Sequence, residues 1–292
     1  MEHVRWHSDT TLRTPTMVAA FTGWSDAADA SSNAAKALVE GWGAELIASI
    51  DPEEYTDFAT TRPHVRLSGG MSREIVWPQT AVWGTSTPGG DVLIVLGPEP
   101  SLRWRSFCDQ IVAIGARFST PMVLTLGALL ADVPHTRPVQ LMGSATDQSL
   151  IERFDLQRSR YEGPTGILGV LHDAFNRAGV ASASLWAATP SYAAQVSSPK
   201  AALALLRRAT DMIGTPAPSG VLAAEVAEYD AQVDELVESD DDLRGYVRRL
   251  ERIADAGDDD TSEDDTPAAP TAQQGEQLIS ELEEFLRDQG DQ

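Results

Sequence analysis

Five short apolar runs, at residues 17–21, 44–50, 92–96, 122–126 and 184–188, set the rhythm of this chain. Each is continuous, without the polar alternation of a strand that faces water, and segments of helical spacing lie between them. That is the pattern of strands buried on both faces of a parallel sheet. Each run leads into a loop of glycine, proline and polar side chains: Gly-Trp-Ser-Asp at 23–26, Asp-Pro-Glu-Glu at 51–54, Gly-Pro-Glu-Pro at 97–100, Gly-Ala-Leu-Leu-Ala-Asp at 127–132 and Thr-Pro-Ser-Tyr at 189–192. In a parallel sheet these carboxyl-end loops gather along one rim, where open α/β sheets bind ligands.

The intervening segments supply the other layers. Residues 26–41 predict a helix, with Ala27, Ala28, Ala30 and Ala34 leading into Leu38 and Val39, Ser25 or Asp26 as cap, and Gly41 and Gly43 as stop. Residues 64–78 alternate about a Ser-Gly-Gly turn and predict an antiparallel hairpin, and residues 80–83 add a further edge strand. Residues 101–118 form a helix capped by Ser101, and residues 138–142 suit another strand. Ile167, Leu168, Leu171 and Phe175 make a helical stripe that follows Pro164 and runs to Gly179, and residues 199–213 make a further helix ended by Gly214. The expectation is an α/β fold, three-layer αβα, with a mixed, mostly parallel sheet occupying residues 1–218. Residues 219–254 follow as a helical hairpin extension broken at Asp240-Asp241-Asp242, residues 255–275 as a disordered acidic linker, and residues 276–292 as a short amphipathic helix bearing Leu278, Leu282, Phe285 and Leu286.

Charge sharpens this division. Of the net −22, the stretch from Glu225 onward carries 23 acidic and 5 basic residues, a net of −18, which leaves −4 on the first 224 residues. The body is near neutral and the acidity belongs to the appendage. With no basic patch, nucleic acid is excluded as a partner. No apolar stretch approaches the ~20 residues that span a bilayer, and the amino terminus has no apolar signal core, so the chain reads as cytoplasmic with no membrane partner. The single cysteine, Cys108, has no internal disulfide partner and no companions for a metal site, so it reads as a buried structural thiol.

The rim loops hold the candidate binding residues. Asp26 and Asp29 open a helix whose amides attract anions, and both also suit helix capping. Trp24, a large aromatic in the same turn, either roofs a pocket or anchors an interface. Glu99 is held between two prolines, as part of a site or as a solvated turn residue. His135 fits an acid–base role or a structural hydrogen bond, and Arg137 either grips a carboxylate or phosphate or pairs with Asp132. Tyr161, Glu162 and Thr165 sit in the dense Tyr-Glu-Gly-Pro-Thr-Gly cluster, where glycines let backbone approach a ligand. The expectation is that these loops converge on one ligand- or partner-binding rim. No phosphate-loop Gly-Lys-Ser/Thr, Gly-x-Ser-x-Gly elbow or His-Glu-x-x-His helix occurs in the sequence. Nucleotide hydrolases, serine hydrolases and zinc proteases therefore drop out of the leading readings, and no metal, cofactor or catalytic set is assigned.

Taken in order, Gly-Trp-Ser-Asp-Ala-Ala-Asp-Ala after the first long strand, Arg62-Pro63, Ile-Val-Trp-Pro at 75–78, Gly-Pro-Glu-Pro with Trp104, the segment 126–138, Tyr-Glu-Gly-Pro-Thr-Gly at 161–166 and Leu-Trp-Ala-Ala-Thr-Pro-Ser-Tyr at 185–192 resemble the bacterial proteasome assembly chaperone 2 family, over about residues 15 to 254. Arginine outnumbers lysine, which occurs only as Lys36 and Lys200, and this suits an actinobacterial type of source. The resemblance implies a fold similar to nucleoside phosphorylases, a homo-oligomer with a trimer favoured, and an assembly or interaction role with a proteasome-related partner. Archaeal relatives engage the proteasome through a carboxyl-terminal hydrophobic-Tyr-x motif. This chain ends Arg-Asp-Gln-Gly-Asp-Gln instead. The alternative is an enzyme or small-molecule sensor, phosphorylase- or hydrolase-like, using the strand-end rim.

Overall fold

A computed structural model describes residues 3–68 and 72–258. Most of the expected acidic linker and all of the expected terminal helix lie outside the described residues. The strands are β1 (Val4–Trp6), β2 (Thr16–Thr22), β3 (Glu45–Ile50), β4 (His64–Ser68), β5 (Ser72–Val76), β6 (Thr80–Thr87), β7 (Gly90–Pro98), β8 (Met122–Ala131), β9 (Leu141–Ala145) and β10 (Ala181–Pro190). The α-helices are α1 (Ala30–Gly41), α2 (Trp104–Arg117), α3 (Gln148–Phe154), α4 (Ile167–Arg177), α5 (Pro199–Ile213), α6 (Gly220–Glu238) and α7 (Asp241–Asp258).

Eight strands form one sheet in the order β1-β3-β6-β7-β2-β8-β10-β9. Its run β7-β2-β8-β10 is parallel, while the pairings β1–β3, β3–β6, β6–β7 and β10–β9 are antiparallel, so the sheet is mixed with a parallel centre. Side chains on β2 alternate between the two layers that cover it. Val18 and Ala20 pack in the core shared with Ala34 and Leu38 of α1 and Leu205 and Leu206 of α5. Met17, Ala19 and Phe21 pack in the opposite core with Ile111 and Ile114 of α2 and Leu171 and Phe175 of α4. Each large apolar side chain buried here contributes about 1.5–3 kcal/mol relative to exposure, which makes the two cores the main source of stability. The architecture is three-layer αβα with α6 and α7 appended.

Several local expectations shift. Residues 80–83 belong to a strand, but β6 is interior, lying between β3 and β7. It reads as marginal in sequence because its second half, Gly-Thr-Ser-Thr, is polar. The expected hairpin forms, yet β4 and β5 make a two-stranded sheet of their own. β8 and β10 extend to Ala131 and Pro190, so residues 127–131 and 189–190 are strand, not loop. The strand expected at 138–142 lies at Leu141–Ala145. Helix α2 begins at Trp104, after Arg103 in the left-handed region (φ 53°), and Ser101 does not cap it. β1 and α3, both short, were not anticipated. The helical extension is present, broken at Ser239-Asp240, with α7 continuing through Asp258.

Candidate functional site

The parallel strands bring four loops to one rim. After β2 the chain turns at Gly23, whose φ of 118° suits glycine alone. It then passes through Ala28 and Asp29, two consecutive residues in the left-handed region, at φ 51° and 53°. Each such residue costs about 1–3 kcal/mol, and strain of this kind clusters at binding sites. Inside this loop Asp26 is only 7% exposed. Its Oδ1 accepts from Ser31 Oγ–H at 2.6 Å and Ser32 N–H at 2.9 Å, so Asp26 does satisfy an amide of the first turn of α1. Its Oδ2 is buried with no partner, as is Ser25 Oγ. The loop is anchored to β8, where Ala128 N–H donates to Ser25 O at 2.9 Å.

A cleft of about 470 Å³ opens here, bounded by Trp24, Asp26, Asp29, residues 128–130 of β8, Trp186, Gln195 and Ser197. Trp24 stands 39% exposed at its mouth. The Trp186 ring lies over Gly127, where an added Cβ would sit 2.6 Å from Cε3. Asp29 is exposed on the same wall. The volume falls in the range of small-molecule pockets.

Glu99 joins the same region but points to a helix. Its Oε1 accepts from Ile167 N–H at 2.8 Å, placing a carboxylate on the first amide of α4, where the helix dipole favours negative charge. Gly166, the residue before that helix, is hemmed in: an added Cβ would lie 2.7 Å from Trp24 Cε3, 2.9 Å from Ser25 Oγ and 3.1 Å from Glu99 Oε1. Trp24, Glu99 and the start of α4 thus lie together. Tyr161 hydroxyl donates to Pro164 O at 2.6 Å, closing its own loop, while Glu162 and Thr165 are exposed beside it.

His135 and Arg137 do not share that cleft. They lie under the helical extension, and their side chains are engaged by it. His135, 4% exposed, has Nδ1 2.8 Å from Tyr192 hydroxyl and Nε2 2.9 Å from Asp234 Oδ1 on α6. Because Tyr192 oxygen also accepts from His135 N–H at 2.8 Å, its own proton is free for Nδ1, which leaves Nε2–H to donate to Asp234. Lys200 Nζ reaches both His135 O and Asp230. Arg137 pairs with Asp255 at 2.6 Å and Glu251 at 3.5 Å on α7 and not with Asp132, one of the two partners the sequence offered it; Asp132 accepts from Ser191 and Tyr246. The Arg137 guanidinium holds the Asp255 carboxyl below its ordinary pKa. Burial raises the hydroxyl pKa of Tyr192, and that of Tyr246 to about 12. Ala193, Tyr229, Val233, Val237 and Val247 close the apolar part of this contact.

The rim is therefore divided: an open acidic cleft at β2, and a half sealed by α6 and α7. Sequence reasoning did not single out Tyr192, Asp234, Lys200 or Trp186 as individual side chains. The signal for Trp186 was its place in a strand whose face carries glycine opposite. Asp234 offered none, since one aspartate in an acidic helix looks like another. No group of three or more metal-ligating side chains occurs among the described residues. The cleft lining offers carboxyls, an amide, a hydroxyl and indoles, with no histidine, lysine, arginine or cysteine. Ser–His contacts lie away from the cleft, Ser182 Oγ to His172 Nδ1 at 3.0 Å, part-buried between α4 and β10, and His7 Nε2 to Ser49 Oγ at 2.8 Å, and Cys108 lies in the core with burial pushing its thiol up to about 12.

These features define a class: three-layer αβα proteins with a cleft at the carboxyl ends of a mixed sheet and a helical extension across the rim. The chain belongs to the PAC2 family, whose model matches residues 20–237. It is similar to a PAC2 family protein from Streptomyces avermitilis (44% identity, TM-score 0.73, covering 80% of this chain and 99% of that one). It is also similar to a proteasome-assembly chaperone homologue from Mycobacterium tuberculosis (41% identity, TM-score 0.72, covering 80% and 99%). At 15% identity an archaeal proteasome activator from Pyrococcus furiosus shares the fold, with a TM-score of 0.67 over 80% of this chain and 97% of that one. Proteins of curated function give no match. No helix among the described residues is long and apolar enough to cross a membrane.

Proposed function

We propose that this protein is a cytoplasmic assembly or interaction protein that works on a proteasome-related protein partner as a homo-oligomer, a trimer by family resemblance. The observation that carries the reading is membership of a family with a relative, 41% identical, described as a proteasome-assembly chaperone homologue. The surface chemistry supports it. In the β4–β5 hairpin, Val65 pairs with Ile75 across the strands and Leu67 lies on the same face, and these three are 62%, 55% and 63% exposed. The opposite face carries the Arg66–Glu74 ion pair at 2.8 Å. A lone two-stranded ribbon is marginal in water, so its apolar face suits cover by a second copy of this chain. The stripes of α6 and α7 are mostly spent within the chain, where Leu222, Tyr229, Val233 and Leu250 are buried, with Val221, Leu236 and Ile253 left exposed. The sealed half of the rim also leaves His135 without a free ring nitrogen for acid–base work, which disfavours catalysis there.

Deleting the gene in the source bacterium and following maturation of its proteasome tests the role. Accumulated assembly intermediates, rescued by the wild-type chain and not by Leu67→Glu with Ile75→Glu, are expected; unchanged maturation overturns it. Light scattering on the same double variant tests self-association, with a smaller particle expected and an unchanged mass contradicting the hairpin's part. The cleft favours a second reading, a small-molecule sensor, since its volume of about 470 Å³ falls in the range of small-molecule pockets.

A further inference from the structure

Helix α7 is held to the rim by charge more than by apolar burial. Among its described side chains only Val247 and Leu250 are buried, whereas α5 buries nine of its fifteen residues. Apolar burial is the dominant stabilising term, so α7 is weakly held for its length. Its near end is tied to α6 by Arg244, which donates to Glu238 O at 2.6 Å across the break at Ser239-Asp240. Its far end is latched to the body. Glu251 and Asp255, one turn apart, bracket Arg137; Asp255 accepts two guanidinium bonds at 2.6 and 2.8 Å, and the Thr136 hydroxyl donates to Glu251 at 2.6 Å. The latch is wet: the Arg137, Glu251 and Asp255 side chains are 34%, 25% and 56% exposed, so water and salt screen their attraction. A helix pinned at one end, with few apolar anchors and a screened ionic clasp at the other, belongs to the low end of local stability.

We infer that α7 is a strap with an ionic latch, which opens about the Ser239-Asp240 break while α6 and the sheet stay folded. Opening uncovers Arg137 together with Asp132 and Tyr192, which the closed strap engages through the Tyr246 hydroxyl and the edge of its ring. These three residues follow the carboxyl ends of β8 and β10, so the seal over this half of the rim is conditional on ionic strength. Both sides of the latch belong to this chain, so the strap opens in the purified protein whether or not a proteasome-related partner exists.

Hydrogen exchange of the full chain, read by mass spectrometry in about 0.01 M and about 1 M sodium chloride, compares screening lengths of about 30 and 3 Å. Amides of α7 are expected to exchange about two- to fivefold faster at high salt, the factor that an exposed ion pair is worth, while those of α6, α5, β2 and β8 keep their protection. Arg137→Gln should raise α7 exchange at low salt by about the same factor and remove its response to salt. Arg137→Lys should restore part of the protection, since a point charge then replaces the two-pronged bond. Arg177→Gln breaks the exposed Arg177–Asp173 pair of α4 at 3.0 Å and controls for loss of one surface charge; it should leave α7 as in the wild type. Exchange in α7 that ignores salt, or that keeps its salt response in Arg137→Gln, overturns the inference. So does exchange of α7 only in step with α6 and α5, which would make the extension one cooperative unit with the body.

Discussion

Replacing Tyr192 with phenylalanine isolates the hydroxyl that orients His135, whose Nε2 in turn reaches Asp234 on the helical extension. The ring is retained, and with it the edge-on packing against His135 and Tyr246 at centroid distances of 5.9 and 6.1 Å. Two partners lose the oxygen at once: His135 N–H, which donates to it at 2.8 Å, and His135 Nδ1, also at 2.8 Å. With His135 only 4% exposed, solvent does not replace the bond without rearrangement. Orphaning a buried polar group costs about 1–3 kcal/mol, so the pair, allowing for partial relaxation, costs about 2–4 kcal/mol. For a chain of this size each kcal/mol lowers the melting temperature by about 2–4 °C, which gives a drop of roughly 4–16 °C if the extension unfolds with the body. Hydrogen exchange covers the other case, in which α6 and α7 undock first: their amides then lose protection while those of β2 and β8 keep theirs. Urea denaturation together with exchange is the assay. A change under about 0.5 kcal/mol with unaltered protection in α6 and α7 would refute the part given to this hydroxyl in holding His135 toward α6.

Gly166→Ala drives a methyl into Trp24, Ser25 and Glu99, so it should destabilise the chain by about 1–3 kcal/mol and shift the emission of an exposed tryptophan; wild-type stability and emission would contradict the packing. His172 has its pKa lowered from 6.5, chiefly by burial. Its unfolded form takes up a proton first, so full stability is present above about pH 6.5 and falls as pH drops below that value toward the folded pKa. His172→Asn should flatten the fall between pH 7 and 5, and an unchanged slope would remove His172 from the account. Cys108, buried with its thiol pushed up to about 12, should resist iodoacetamide until the core unfolds, and rapid labelling of the native chain would show that the α2 core opens.

The parallel centre of the sheet was legible because its strands are covered on both sides: runs such as Met17 to Phe21 need no partner to announce themselves. β6 was misplaced because Thr85, Ser86 and Thr87 say nothing about which strand lies beside them, and edge and interior differ only in long-range pairing. Caps were readable where a side chain does the work, as Asp26 does for the first turn of α1 by accepting from Ser32 N–H at 2.9 Å, and not where backbone does it, as at Arg103. The rim residues divided for a similar reason. Trp24, Asp26 and Glu99 follow neighbouring parallel strands, so topology alone gathers them. His135 and Arg137 follow β8 on the same rim, but their role is set by Asp234, Glu251 and Asp255, some hundred residues later on helices whose acidic faces look uniformly solvated in sequence.

Native mass spectrometry with cross-linking, on the purified full chain mixed with unassembled proteasome subunits of the same bacterium, tests the central claim most directly. The account predicts a defined complex at micromolar concentration, carried by an oligomer of this chain, with cross-links from the partner outside the surface sealed by α6 and α7. A chain that remains free of every proteasome subunit and precursor under those conditions would contradict it.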